Sequence, residues 1–225
     1  MKGSDIMKVL VACEESQRVC IAFRNKGHEA YSCDILQCSG GHPEWHIWGD
    51  CIPLLNGNCY FYTQNGEYHE IDKWDMIIAH PPCTYMSNAG ACRMFPTKGV
   101  IDIVRFAKAM KARQFFMAIF NANCTRICIE NPTPMKCVKL PDYTQIIQPY
   151  QFGEPYSKRT CLWLKGLPQL QPTKILNAYY PYVSCGTSRN KGNPDKAGVS
   201  RKGGASKVRS KTFEGIALAM AEQWG

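Results

Sequence analysis

The chain has 225 residues, of which 45% are hydrophobic and 20% charged, and its net charge is +9. These values exclude a disordered or fibrous chain and predict one globular domain, or one domain with a small appendage. No apolar run approaches the length of a membrane span, and the amino-terminal apolar stretch is too short for a signal peptide, so we expect a cytoplasmic protein without membrane partners.

The thirteen cysteines are many for this length, and their number is odd. In a chain without a secretory signal they are typical of reduced thiols in an intracellular protein, not of a disulfide framework. We therefore expect most of them to be small core residues.

The amino-terminal segment alternates strand and helix patterns. KVLVAC at 8–13 is a short apolar run that predicts a buried strand, and 28–35 predicts a second strand ending on Asp34. Residues 14–26 between them predict a helix whose apolar face consists of Val19, Ile21, Ala22 and Phe23. Such a strand–helix–strand unit implies parallel strands and a right-handed crossover.

The central segment carries a hairpin, a strand and a long helix. Aromatic residues flank Asn65-Gly66 within 59–71, which predicts a hairpin, and 74–79 predicts a buried strand. Residues 99–121 predict a long helix. Its expected core contacts are Ile101, Val104, Phe106, Ala107, Met110 and Phe115.

The carboxy-terminal segment begins with a strand at 125–129 that runs into Glu130-Asn131-Pro132. Proline and tyrosine dominate 132–157 and predict irregular structure, whereas 160–164 predicts another strand. Residues 212–224 predict a last helix. Its apolar side is expected to consist of Phe213, Ile216, Ala217, Met220 and Trp224.

The positive charge is concentrated between Arg189 and Lys211, where eight basic residues and one acid give +7, which leaves +2 for the remaining chain. The Gly, Ser, Lys and Arg content of 186–211 predicts a flexible loop. A concentrated basic patch suits a phosphate backbone, although a solvated surface loop is the simpler interpretation of such a run taken alone. The expected phosphate contacts are Arg189, Lys191, Arg201, Lys202, Lys207 and Arg209.

Alternating strands and helices predict an open, mostly parallel α/β sheet, in which ligands bind outside the carboxyl ends of the strands. Asp34 stands where an acid can accept both hydroxyls of a ribose, and Asp50 could accept from an adenine amine. For Asp34, a turn or capping role is the alternative. We expect one crevice to collect the polar corners at Glu14-Glu15, Asp34, Asp50, Pro81-Pro82-Cys83 and Glu130-Asn131.

Cys83 and Glu130 form the most informative pair. A cysteine at a strand end can act as a nucleophile when its pKa is lowered, and a buried structural cysteine is the alternative. A carboxylic acid at Glu130 could donate a proton to a ring nitrogen. Thiolate addition to C6 of a pyrimidine, with protonation at N3, makes C5 nucleophilic.

These residues resemble the cytosine-C5 methyltransferase family, whose members use S-adenosylmethionine. The family's catalytic loop, Pro-Pro-Cys followed by Ser-x-Ala-Gly, is similar to PPCTYMSNAG at 81–90. The family's Glu-Asn motif matches Glu130-Asn131, its acidic corner matches Asp34, and its Gly-Asp corner matches Gly49-Asp50. Its arginine before a late strand matches Arg159. More narrowly, the chain resembles short phage and prophage proteins described as DNA cytosine methyltransferases.

The resemblance implies a Rossmann-like methyltransferase fold with helices on both faces. The catalytic core would span 1–165, a small basic recognition region 166–211, and a returning helix 212–225. DNA would be the partner, with a flipped cytosine and a short or loose recognition sequence. The implied catalytic residues are Cys83, Glu130 and Arg159. The implied cofactor contacts are Cys13, Glu14, Ser16, Asp34, Asp50 and Pro81, and the implied substrate contacts are Ser87 and Asn131 besides the basic run.

The first loop, Val11 to Gln17, lacks the glycines of the family, and Glu14 or Glu15 would then bind the cofactor's ammonium group. RNA or a free nucleotide is an alternative substrate, and an inactive nucleic-acid-binding protein of the same fold is an alternative function. Four residues near metal-ligand spacing match no established pattern, so we expect no metal. They are Cys33, Cys38, His42 and His46.

Overall fold

The computed structural model describes residues 6–182 and 210–225. Its helices are α1 (Arg18–Asn25), α2 (Ala91–Met94), α3 (Ile103–Phe120) and α4 (Glu214–Trp224). Its strands are β1 (Lys8–Ala12), β2 (Glu29–Asp34), β3 (His46–Trp48), β4 (Cys59–Tyr62), β5 (Tyr68–Ile71), β6 (Met76–Ala79), β7 (Ile127–Pro132), β8 (Gln145–Ile147), β9 (Tyr156–Ser157), β10 (Thr160–Lys165) and β11 (Tyr180–Pro181).

Seven strands form one sheet in the order β3-β2-β1-β6-β7-β10-β8. The first five are parallel, and β10 lies antiparallel between β7 and β8. The chain order reverses between β1 and β6, which is the switch point where open α/β sheets bind ligands. The predicted mostly parallel α/β sheet is therefore confirmed.

The sheet is covered on both faces because successive strand residues point to opposite sides. Leu10 and Ile77 pack in the same cluster as the buried face of α3, whereas Val9 and Ile78 pack in the cluster of α1 and α4. Strands buried on both faces explain the uninterrupted apolar runs of the sequence.

The prediction for the first helix was wrong at its start, because α1 begins at Arg18 and not at residue 14. Cys13 and Gln17 both have φ near 60°, a left-handed conformation that a helix does not admit. The Glu14 carboxylate accepts from the backbone N–H groups of Val19 at 2.7 Å and Cys20 at 3.2 Å. Glu14 therefore caps the helix from outside it.

Three of the core contacts predicted for the long helix were wrong, because Val104 is 68% exposed, Ile101 is 37% exposed, and Ala107 is exposed as well. The amino end of α3 packs on the loop after β6, where the Arg105 guanidinium donates to the Thr84 carbonyl at 2.8 Å. The fully buried side chains of α3 lie further along the helix, at Ala109, Phe116 and Ile119.

The strand predicted at 125–129 in fact continues through Glu130 to Pro132. The neighbouring strand β10 extends it, since Thr160 pairs with Pro132 and Leu162 pairs with Glu130. The segment predicted to be irregular also contains β8 and β9.

The predicted hairpin is confirmed by β4 and β5, and the apolar residues predicted for the last helix are all buried. Helix α4 packs against α1, and the Trp224 indole N–H donates to the Pro168 carbonyl at 3.1 Å. In residues 6–182 and 210–225, no helix is long and apolar enough to cross a membrane.

Candidate functional site

The parallel strands bring the predicted polar corners to one edge of the sheet. Glu14 follows β1, Asp34 ends β2, His80 and Pro81 follow β6, and Glu130 lies in the last half of β7. Because β10 is antiparallel, its amino end and the preceding Arg159, which is exposed, lie at the same edge.

The loop after β6 folds back on itself around Cys83. The Cys83 carbonyl accepts from the N–H groups of Met86 at 3.0 Å and Ser87 at 2.9 Å, and the Cys83 residue is half-buried. The Met86 carbonyl in turn accepts from the N–H of Met135 at 2.8 Å, and buried Ser87 forms a bridge with Pro134. The Cys83 loop is thus joined to the segment that follows β7.

Asn131 makes a second connection between these segments. Its side-chain amide is buried and donates to the Pro81 carbonyl at 3.0 Å. In this conformation Asn131 positions the loop that carries Cys83, whereas the sequence predicted a substrate contact.

Glu130 is hydrogen-bonded to a histidine that sequence reasoning did not select. His80 Nδ1 lies 3.0 Å from Glu130 Oε2, and each side chain is only 10% exposed. The Thr212 hydroxyl donates to the same carboxylate oxygen at 3.3 Å. His80 is the polar residue that ends the apolar run Met76-Ala79, and this position was the available signal in the sequence.

Burial alone would raise the pKa of Glu130, but the His80 hydrogen bond and charge, with help from Lys158 and Thr212, lower it to about 2. Burial would lower the pKa of His80, but Glu130 and the charge of Glu14 outweigh burial and raise it. Burial raises the pKa of Glu14 to about 7, against the opposing charge of His80. Glu14, His80 and Glu130 therefore form one interacting group of titratable side chains.

Lys158 and Arg159 differ in their relation to this group. The charge of Lys158 acts on both Glu130 and His80, and its ammonium lies 5.7 Å from the centre of the Phe213 ring. Arg159, the predicted catalytic arginine, is exposed. Lys158 is thus a cation of the Glu130 environment that the sequence did not indicate.

The first loop is held by the segment at 39–42. The Ser39 hydroxyl donates to Glu15 Oε2, and the Gln17 side chain both donates to the His42 carbonyl at 2.8 Å and accepts from its N–H at 3.0 Å. A side chain at Gly40 would place Cβ 2.7 Å from the Ser16 carbonyl, so only glycine permits this packing.

Asp34 and Asp50 each close a turn. Asp34 Oδ1 accepts from the N–H of Leu36 at 2.9 Å, and Asp50 Oδ1 accepts from the N–H of Ile52 at 3.0 Å. The turn role and a ligand role are compatible, because a carboxylate has several acceptor positions.

The residues present fit the polar ends of the cofactor that the resemblance implies. Glu15 Oε1 is buried without a hydrogen bond in the described part of the chain, which suits an ammonium group, and Lys211 Nζ lies 4.0 Å from it. The Asp34 carboxylate stands at the end of β2, where a ribose diol would bind. Cys13 and Ser16 border Glu14 and Glu15; a hydrogen bond with Cys51 and burial raise the pKa of the Cys13 thiol.

A basic surface lies beside the Cys83 loop. Residues 91–120 contain six basic side chains and one acid. Lys108 and Lys111 are exposed one turn apart on α3, and Lys108 lies 5.6 Å from the centre of the Tyr85 ring. The phosphate contacts predicted at Arg189, Lys191, Arg201, Lys202, Lys207 and Arg209 lie outside the described residues.

The four residues near metal-ligand spacing do not form a metal site. His46 is bonded through both ring nitrogens, to Ser32 and to the Leu36 carbonyl, each at 2.9 Å, and His42 is stacked on Trp45. Within residues 6–182 and 210–225, no group of three or more His, Cys, Asp or Glu side chains is placed to hold a metal ion.

The fold and this edge define an open α/β protein whose switch point carries a cysteine loop beside a buried histidine–carboxylate pair. No family model matches the sequence, and no curated protein matches it either.

Proposed function

We propose that the chain transfers a methyl group from S-adenosylmethionine to C5 of cytosine in DNA. The observation that carries the proposal is the hydrogen bond from Asn131 to the Pro81 carbonyl, because it joins the Cys83 loop to the strand of Glu130. A nucleophile and a proton donor acting on one ring must be held together in this way. The Cys83 loop follows β6 at the switch point, where this class of sheet binds ligands, and Glu130 lies on the neighbouring strand β7.

In the proposed reaction a cytosine leaves the base stack and enters the edge of the sheet. The Cys83 thiolate adds to C6 while N3 is held and protonated from Glu130. When bound, S-adenosylmethionine supplies the electrophilic methyl group that C5 attacks. Loss of the C5 proton then expels Cys83. Arg159 would steady the base or the loop, and the basic surface of α2 and α3 would contact phosphates, which position DNA without specifying its sequence.

Incubation with labelled S-adenosylmethionine and separate pools of duplex DNA, RNA and free nucleotides tests the proposal. We expect label in 5-methylcytosine of the DNA pool, and label in another pool would favour the alternative substrates. Cys83→Ala should abolish transfer. Cys92→Ala is the matched control, because Cys92 is an exposed cysteine nine residues along the same segment. Transfer by the Cys83→Ala protein would refute the assigned nucleophile.

A nucleic-acid-binding protein without catalysis is the second candidate. It is favoured by Glu14, whose carboxylate already occupies the first N–H groups of α1 in a loop without glycines. This candidate predicts DNA binding with no heat of S-adenosylmethionine binding in calorimetry and no label in any pool. Either a heat of binding or a labelled base would exclude it.

A further inference from the structure

His80 and Glu130 form a fixed and buried unit. The backbone N–H of His80 donates to the Ala12 carbonyl at 2.9 Å, which holds the residue against the end of β1. Its Nδ1 lies 3.0 Å from Glu130 Oε2, and both side chains are 90% shielded from solvent. The hydrogen bond between the two groups is therefore largely shielded from water.

The reaction proposed above needs a proton donor at N3, and an ionised carboxylate donates none. The pKa of Glu130 is lowered to about 2, whereas that of His80 is raised above its ordinary value. The proton shared by the pair therefore lies on the histidine and not on the carboxylate. Ionised Glu130 alone therefore cannot supply the proton that N3 needs.

The pair gains or loses its proton at Nε2, the His80 ring nitrogen that faces away from Glu130. With Nδ1–H directed at the carboxylate, gain or loss of a proton occurs at Nε2, which is buried and makes no hydrogen bond in the described part of the chain. Around the pair, Glu14 after β1 favours the protonated ring, Lys158 before β10 opposes it, and Thr212 before α4 donates to Glu130.

We propose that His80 is a positioning residue that loads Glu130 with the proton received by N3 of the cytosine. The inference rests on the proposed function and deepens it. It assigns the source of the proton to a histidine placed immediately before the Pro81-Pro82-Cys83 sequence.

Addition of the thiolate to C6 and protonation of N3 occur together. As the bond from Cys83 Sγ to C6 forms, the C5=C6 pair moves to C4–C5 and the C4=N3 pair moves to N3. N3 takes the proton of the Glu130 carboxyl group, which that group has received from His80 Nδ1, and His80 remains neutral with its proton on Nε2. In the elimination the C5 proton passes to water, the C5–H pair forms C5=C6, and Cys83 leaves with the C6–S pair as N3 returns its proton to the pair.

Release of tritium from DNA containing [5-³H]cytosine, without any cofactor, tests this role, because C6 addition with N3 protonation labilises the C5 hydrogen. His80→Asn keeps an N–H donor for Glu130 but cannot titrate. We expect tritium release to fall about 100-fold, the loss typical of a removed general acid. In the wild type we expect tritium release to slow at high pH as His80 loses its proton. In His80→Asn the same decrease should occur at a lower pH, in the acidic range where a carboxyl group ionises.

His28→Asn is the matched control, since His28 is also buried but precedes β2 at the opposite edge of the sheet. The His28→Asn protein should show the same dependence of tritium release on pH as the wild type. A His80→Asn protein with the wild-type profile, or with a rate lowered equally at every pH, would overturn the inference. Absence of both tritium release and methyl transfer in the wild type would instead overturn the proposed function.

A measurement on the wild-type protein does not depend on how the variant folds. The ¹⁵N chemical shifts of the His80 ring should show an imidazolium at pH 6.5, with a midpoint above that of His28, whose pKa burial lowers. A neutral His80 ring at pH 6.5 would overturn the inference.

Discussion

The Asn131 side chain donates a hydrogen bond to the Pro81 carbonyl across 3.0 Å, although fifty residues separate the two in sequence. Pro81 has no N–H of its own, and the following Pro82 restricts its ψ and so the direction of its carbonyl. This bond couples the strand of Glu130 to the loop of Cys83.

Asn131→Ala should loosen that loop. The buried Pro81 carbonyl would lose its partner, so we expect the free energy of unfolding to fall by about 1–3 kcal/mol. Urea denaturation measures the loss, and peptide mapping after brief alkylation should show faster modification of Cys83. Asn88→Ala, at an exposed asparagine of the same loop, should change neither quantity. Unchanged alkylation of Cys83 in Asn131→Ala would contradict the coupling.

The His80–Glu130 pair should give a distinct pH dependence of stability. The folded pKa of Glu130 is lowered from 4.5 to about 2, so its contribution is present above 4.5 and is lost as pH falls towards 2. The folded pKa of His80 is raised above 6.5, so its contribution is present below 6.5 and is lost as pH rises through the folded value. The pair therefore stabilises the protein most between pH 4.5 and 6.5.

Glu130→Gln tests this window. Unfolding free energies measured by urea from pH 3 to 9 should show the largest advantage of the wild type between pH 4.5 and 6.5 and a smaller advantage on either side. Glu29→Gln is a control at a half-buried glutamate at the other end of the sheet, in the first residue of β2. A difference between wild type and Glu130→Gln that is constant with pH would refute the prediction.

The double change Lys108→Gln and Lys111→Gln should weaken binding of duplex DNA. Each phosphate contact contributes about 0.9 to the slope of log affinity against log salt, so the slope should fall by about 2 if each lysine makes one contact. Fluorescence anisotropy at several salt concentrations measures it. Lys26→Gln with Lys73→Gln removes the same charge near the amino ends of β2 and β6 and should leave the slope unchanged. Equal effects of the two pairs would show that only net charge matters.

Gly40→Ala should disturb the first loop. Its Cβ would lie 2.6 Å from Gln17 Cβ and 2.7 Å from the Ser16 carbonyl, and relief requires backbone movement. We expect a loss of about 1–3 kcal/mol in stability, as for other overpacked sites, and weaker binding of S-adenosylmethionine in calorimetry. Gly49→Ala is the control, because no atom lies within 4 Å of its added Cβ. Equal stability of the Gly40→Ala and Gly49→Ala proteins would contradict the prediction, because it would show that the segment at 39–42 can move away from the first loop without cost.

Much of the fold could be predicted because local composition decides it. Apolar runs such as KVLVAC have no polar face and require burial on both sides, which only the middle of a covered sheet provides. The same reasoning placed Glu14, Asp34 and Glu130 at one edge, since parallel strands present their carboxyl ends together. The start of α1 was harder to predict from the sequence. The cap supplied by Glu14 and the left-handed conformation of Gln17 override a local sequence that favours helix.

The sequence by itself therefore determined the order of the strands along the chain, their burial and the edge where the polar corners meet. Only the tertiary structure decided which partners those corners have. His80 and Glu130 are separated by fifty residues, and their hydrogen bond exists because β6 and β7 are neighbours in register. The hydrogen bond and the charges of the assembled pair then outweigh the burial of both groups, which lowers the pKa of Glu130 and raises that of His80.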